Sequence, residues 1–218
     1  MKTVLELLGP PAVGKTSLAG SLRDGMSVVA EQVCALLLTP DPPPPGPERQ
    51  AVIGRRIAAE VAARPAGPVM LDLGWVSLIC FAYAEWSAVR AHAVAETVAE
   101  TAREARGCRY AGLVVLSADE AELRRRAAAD ADTGRHRGGL DRNLARLGRE
   151  EALLHTAETV LPPGMVLRPR SSDVTGRAAE VRAWLAAGGP TMDPAELLLC
   201  LAEAWLGTPR ATGRRARP

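Results

Sequence analysis

Residues 9–16 read GPPAVGKT, and they leave this chain few ways to fold. The octet fits the spacing GxxxxGK[ST], follows an apolar run at 3–8 (TVLELL) and opens a stretch of helical pattern at 15–24. Glycines at positions 9 and 14 let the backbone curl so that successive N–H groups face inward. The helix beginning near Lys15 adds the positive end of its dipole, and such a concavity holds a phosphate group. Within it, Lys15 is expected to reach the β- and γ-phosphates of a nucleotide and the Thr16 hydroxyl to ligate Mg²⁺. The expected binding loop is therefore Gly9, Pro10, Pro11, Ala12, Val13, Gly14, Lys15, Thr16 and Ser17, with ATP and Mg²⁺ as its ligands. The 27 basic residues include only two lysines, Lys2 and Lys15, so the lysine in the loop stands against a strong arginine bias.

The remainder of the chain alternates short apolar runs with longer helical stretches. Strands are expected at 3–8, 27–30, 68–72, 112–117 and 165–168, each followed by turn or capping residues, as in buried parallel strands. Helices are expected at 15–24, 31–38, 48–63, 76–105, 118–131, 139–158 and 174–187. This alternation predicts an α/β fold with a parallel sheet covered on both faces. Residues 1–187 form the expected main domain. Residues 188–218 form a C-terminal extension, in which Asp193, Pro194 and Glu196 start a helix that runs to Leu206 and stops at Gly207. Leu197, Leu198, Leu201 and Trp205 make its apolar face, expected to pack on the core, with a homodimer contact as the alternative. The arginine-bearing tail beyond it is expected to be disordered. The proline run at 40–47 (PDPPPPGP) can be neither helix nor central strand and is expected to be a stiff spacer, with a substrate-side lid as the alternative.

Composition excludes several classes. Hydrophobic residues are 47% and charged residues 24% of the chain, as in a globular protein rather than a disordered one. No run of about 18 apolar residues is present to span a bilayer, and the N-terminus lacks a signal-peptide cleavage site. A net charge of +2 gives no basic field for nucleic acid. Cys34, Cys80, Cys108 and Cys200 form neither a CxxC pair nor a zinc-ligand spacing, so a reducing, cytoplasmic setting is expected. His92, His136 and His155 likewise show no ligand spacing.

Ligands of a doubly wound sheet bind beyond the carboxyl ends of its strands, where two acids fall. Asp72 ends PVMLD and is a candidate Mg²⁺ ligand, with a turn or helix-capping role as the alternative. Glu31 ends SVVAE and is a candidate general base for an acceptor hydroxyl, with a first-turn helix acid as the alternative. Four of the seven aromatics, Trp75, Phe81, Tyr83 and Trp86, lie between residues 75 and 86. A core helix explains most of them better than a stacking surface does. Among the arginines at 124–142, Arg124 and Arg126 pair with Glu120 and Glu122 at i,i+4 spacing. Arg135 and Arg137, in the polar segment ADTGRHRGG, are candidate lid residues that stabilise transferring phosphate.

With these motifs in place, the chain resembles small P-loop kinases of the nucleoside/nucleotide (deoxynucleoside/thymidylate) kinase-like superfamily. GPPAVGKTSLA, SVVAEQV, PVMLDLGWVSLICFAYAEW and GLVVLSADEAELRRR with GRHRGG carry the resemblance. It implies a three-layer α/β/α sandwich with a five-stranded parallel sheet in the order 2-3-1-4-5. It also implies an ATP-dependent phosphotransferase, with Lys15, Glu31, Asp72, Arg135 and Arg137 as catalytic residues and Thr16 and Asp72 on the metal. Leu73 stands where the family usually has arginine, which leaves open a specialised-metabolite acceptor, as in enzymes resembling chloramphenicol phosphotransferase. The alternative is a nucleotide-dependent ATPase or switch without a small-molecule acceptor; the absence of an NKxD-like motif counts against a GTPase.

Overall fold

The computed structural model describes residues 1–32, 36, 43–129 and 140–207, with the backbone alone for Arg142. Within these residues the elements run in chain order as follows. They are β1 (Lys2–Leu8), α1 (Lys15–Leu22), β2 (Ser27–Val29), α2 (Pro47–Ala63), β3 (Gly67–Asp72), α3 (Trp75–Glu85) and α4 (Ala88–Arg103). They continue as β4 (Cys108–Val115), α5 (Glu120–Ala129), α6 (Leu140–Val160), β5 (Val166–Leu167), α7 (Val174–Ala187) and α8 (Pro194–Leu206). The five strands form one sheet in the order β2-β3-β1-β4-β5. All strand pairs are parallel, so the three-layer architecture and its order are as expected.

The central strand β1 is buried without interruption from Val4 to Leu8, because helices cover both faces of the sheet. Side chains alternate across it. Val4 and Leu8, with Val69, Leu71, Leu113 and Val115, face the layer of α2, α3, α4, α6 and α8. Leu5 and Leu7, with Met70 and Val114, face α1 and α7. Period-two alternation therefore turns Asp72 toward α1, as it does Met70, whereas Glu6 faces the opposite layer with Val4 and Leu8.

The expected helix at 76–105 is two helices. Trp86 adopts extended dihedrals after Glu85, and Ser87 caps α4 by accepting from the Arg90 N–H at 3.4 Å. A serine between two helical stretches competes for the backbone in this way, and the apolar periodicity running through it concealed the break. The fourth strand also begins earlier than expected, at Cys108, and ends at Val115. Of the helix expected at 31–38, Gln32 and Leu36 are helical and the other positions past Gln32 lie outside the described residues.

The C-terminal helix follows its capping signals. Asp193 accepts from the N–H groups of Ala195 at 2.9 Å and Glu196 at 3.3 Å, and Pro194 occupies the first turn. Its apolar face joins the core: the Trp205 indole donates to the Leu153 carbonyl at 2.8 Å, and the Tyr83 hydroxyl donates to the Ala202 carbonyl at 2.9 Å. Just before the helix, Met192 exchanges two backbone hydrogen bonds with Tyr110 and so extends the sheet beside β4. The tail from 208 onward lies outside the described residues. Among the described residues, no helix is long and apolar enough to cross a membrane.

Candidate functional site

The loop between β1 and α1 has the backbone its glycines predict. Gly9 has φ 132° and Gly14 φ 98°, and a Cβ at Gly9 would run into the Leu116 carbonyl just past the end of β4. Two non-glycine residues also adopt the left-handed conformation: Ala12 at φ 63° within the loop and Leu73 at φ 66° directly after Asp72. Each such residue costs on the order of 1 kcal/mol and persists only where its surroundings over-determine it. Both lie beside the carboxyl ends of the central strands.

Lys15 folds its ammonium onto its own loop, donating to the carbonyls of Gly9 at 2.7 Å and Pro10 at 2.9 Å. Burial lowers its pKa, opposed by the negative fields of Asp72, Glu150 and Glu31. The first turn of α1 presents Thr16, whose hydroxyl donates to Asp72 Oδ2 at 2.9 Å across 56 residues of sequence. Asp72 is 5% exposed, so its carboxylate meets the site through this edge rather than through bulk water. Two hard oxygen donors side by side at the mouth of an anion cradle are the donor set Mg²⁺ takes, and the residues present fit that ion.

The topology gathers the expected acids. β2 pairs with β3 and β3 with β1, so the ends carrying Glu31, Asp72 and the loop are adjacent in the sheet. Glu31 acts on the Lys15 charge from this edge. Arg135 and Arg137, like His136, lie outside the described residues, as do residues 40–42 of the proline run. Its end at 43–46 is anchored: Arg49 donates to the Pro43 carbonyl at 2.6 Å and Arg90 to the Pro45 carbonyl at 3.0 Å.

Several contacts went unread in the sequence. Arg126 forms its expected ion pair with Glu122 and also donates to the Val13 carbonyl of the loop at 3.0 Å. Arg177 of α7 reaches the same carbonyl at 3.3 Å, so two guanidinium groups flank the Gly14 end of the cradle. Glu150 of α6 is the third acid acting on Lys15; burial raises its own pKa, offset by Arg146 and Lys15. Arg146 ties this helix to α3 through an ion pair with Glu85 and a position 4.7 Å from the Phe81 ring centroid, and pairs within its own helix with Glu150 at 3.4 Å. Trp75 and Tyr83 are core residues as expected, whereas Phe81 is 37% exposed. No local spacing links 150 to 15; only the packing of α6 against α3 brings its residues to this edge.

The remaining unread residue is Glu6. It is an acid in the middle of an apolar strand, wholly buried. A charge at such a position in a central strand is itself a signal, because acids are almost never fully buried without partners. Its two oxygens accept five hydrogen bonds, from the N–H groups of Gly74, Val76 and Ser77 and from the hydroxyls of Ser77 and Tyr110. Burial nonetheless raises its pKa.

The parallel sheet in the order 2-3-1-4-5, flanked by helices and with the GPPAVGKT loop at the end of its central strand, makes this a P-loop NTPase-like α/β fold. Such a fold is compatible with nucleotide binding. No protein-family model matches the chain, and no curated protein matches it.

Proposed function

We propose that this protein is an ATP-dependent phosphotransferase that moves the γ-phosphoryl group of ATP to a hydroxyl or phosphate of a small molecule. The hydrogen bond between Thr16 and Asp72 carries this reading, because it joins the loop's metal-side hydroxyl to a strand-end acid from a distant part of the chain. The backbone N–H groups of residues 9–16 bind the phosphates, and Lys15 exchanges its carbonyl partners for phosphate oxygens. Thr16 and Asp72 would hold Mg²⁺, which would supply neutralisation of phosphate charge. Glu31 or Asp72 accepts the acceptor's proton as its oxygen bonds to phosphorus, while the bond from the γ-phosphorus to ADP breaks. Arg135 and Arg137 stabilise the charge spread over the transferring oxygens.

The nucleoside/nucleotide kinase resemblance suggests the acceptor class, and Leu73 in place of arginine favours an acceptor other than an ordinary nucleoside or thymidylate. The test is ADP formation from Mg·ATP alone and with a panel of nucleosides, nucleoside monophosphates and hydroxylated natural products, with Lys15→Ala as control. Release stimulated by one acceptor class and abolished in Lys15→Ala is the expected result. Turnover that no acceptor stimulates would contradict the phosphotransferase assignment and favour a nucleotide-dependent switch.

A further inference from the structure

Asp72, the last residue of β3, is aimed at Thr16 and leads into a turn that its own sequence does not favour. Leu73 is left-handed, and Gly74, the residue preceding helix α3, has no side chain to cap that helix. The first N–H groups of a helix have no partner within it. Here Glu6 supplies the partners from the neighbouring strand: Oε1 accepts from Gly74 N–H at 3.0 Å and Ser77 N–H at 2.6 Å, and Oε2 from Val76 N–H at 2.9 Å. The Ser77 hydroxyl adds a further bond to Oε1 at 2.6 Å, and the Tyr110 hydroxyl, from β4, completes the set on Oε2 at 2.5 Å.

The fit around this carboxylate leaves no slack. A Cβ at Gly74 would lie 2.6 Å from Glu6 Oε2 and 2.5 Å from Leu71 Cδ1, so glycine is what lets the turn approach the acid. The segment is thereby fixed at both ends. The register Leu7↔Asp72 with β1 fixes where it leaves the sheet, and the Glu6 hydrogen bonds fix where the helix begins. Leu73 spans the interval, and its left-handed backbone is what these two constraints impose. Glu6 itself faces the layer opposite Asp72, so it touches neither nucleotide nor metal and can act only through this backbone.

We infer that Glu6 is a positioning residue for the metal side of the site: by gripping the start of α3 it holds the Leu73 turn and so keeps the Asp72 carboxylate directed at Thr16. The inference rests on the proposed assignment of Thr16 and Asp72 to Mg²⁺. A negative charge at a helix N-terminus is favoured by the helix dipole, which helps to explain how a wholly buried carboxylate persists in the central strand.

The test compares two binding measurements on the full chain. One is ATP affinity with EDTA present, which reads the loop alone; the other is the Mg²⁺ concentration that half-saturates the metal-dependent gain in ATP affinity. In Glu6→Gln, one oxygen becomes an NH₂ group facing N–H donors, so the grip is lost while side-chain size is kept. The Mg²⁺ midpoint is expected to rise about tenfold, as loss of a partner that orients a metal ligand typically does, with metal-free ATP affinity within twofold of wild type. A merely structural role would lower folded stability and leave the Mg²⁺ midpoint of the folded fraction where it was, and that result overturns the inference. Ser77→Ala removes one hydroxyl donor and no backbone group, and serves if Glu6→Gln does not fold. It is expected to raise the midpoint about threefold, and an unchanged midpoint overturns the inference equally. Asp72→Ala separates the two levels of the argument. If it leaves the Mg²⁺ dependence intact, the metal-side assignment fails; if it abolishes that dependence while Glu6→Gln does not shift it, only the positioning role fails.

Discussion

The hydrogen bond from Thr16 to Asp72 is the contact on which the functional reading turns, and a double-mutant cycle measures it without any ligand. Its donor is the hydroxyl of Thr16, an exposed residue, and its acceptor a carboxylate that is 5% exposed, at 2.9 Å in a half-buried bond. A hydrogen bond to a charged group contributes about 1.5–3 kcal/mol when dry. Water can reach the Thr16 side of this one, so the low end applies. We expect a stabilising coupling of about 1–1.5 kcal/mol between Thr16→Val and Asp72→Ala in the nucleotide-free protein. With a urea slope of about 2 kcal/mol per molar, that coupling appears as a non-additive midpoint shift of about 0.5–0.75 M. Urea denaturation followed by far-ultraviolet circular dichroism, on the wild type, both single variants and the double variant, gives the cycle. Additivity to within about 0.3 kcal/mol would mean that the two groups do not meet in solution, and the metal-side assignment would lose its structural basis.

Three further outcomes follow from the packing and electrostatics. Lys15→Met is expected to abolish ATP binding by calorimetry, and its stability relative to wild type should depend on pH. Because burial lowers the Lys15 pKa below the ordinary 10.5, the folded wild type penalises the charged lysine; its stability should rise relative to Lys15→Met as pH climbs through the depressed value toward 10.5. A pH-independent difference between the two chains would refute the buried-charge account. Trp205→Ala removes a wholly buried indole that also donates to Leu153, and should cost about 3–5 kcal/mol in urea unfolding if the C-terminal helix is integral to the core; a loss below about 1 kcal/mol would show that α8 is dispensable. Ser87→Ala removes a cap whose hydrogen bond is long, 3.4 Å, so a loss of only about 0.5 kcal/mol is expected in the same assay.

Much of the fold was legible because local and global signals agree. The apolar runs are short and bounded by turns, the glycines stand where φ must be positive, and Asp193–Pro194 starts the last helix as its chemistry dictates. The helix break at Ser87 was concealed because apolar periodicity continues through it, and a weak cap bond left little local mark. The candidate site was legible where it lies within one motif or at a strand end: the loop, Glu31 and Asp72. Glu150, Arg126 and Arg177 were not, since they reach the loop through helix packing that no spacing in the chain encodes. Glu6 is intermediate. Its burial is legible from the apolar strand around it, but its five partners come from residues 74–77 and 110, which only the register of β3 and β4 against β1 brings to it.

The central claim is that residues 9–17 and Asp72 bind a magnesium nucleotide, and calorimetric titration of ATP into the protein tests it most directly. ATP is expected to bind the wild type more tightly with Mg²⁺ than with EDTA, to lose that gain in Asp72→Ala, and to bind Lys15→Ala neither with Mg²⁺ nor without it. Equal affinity in wild type and Lys15→Ala, or no binding in either, would contradict the account.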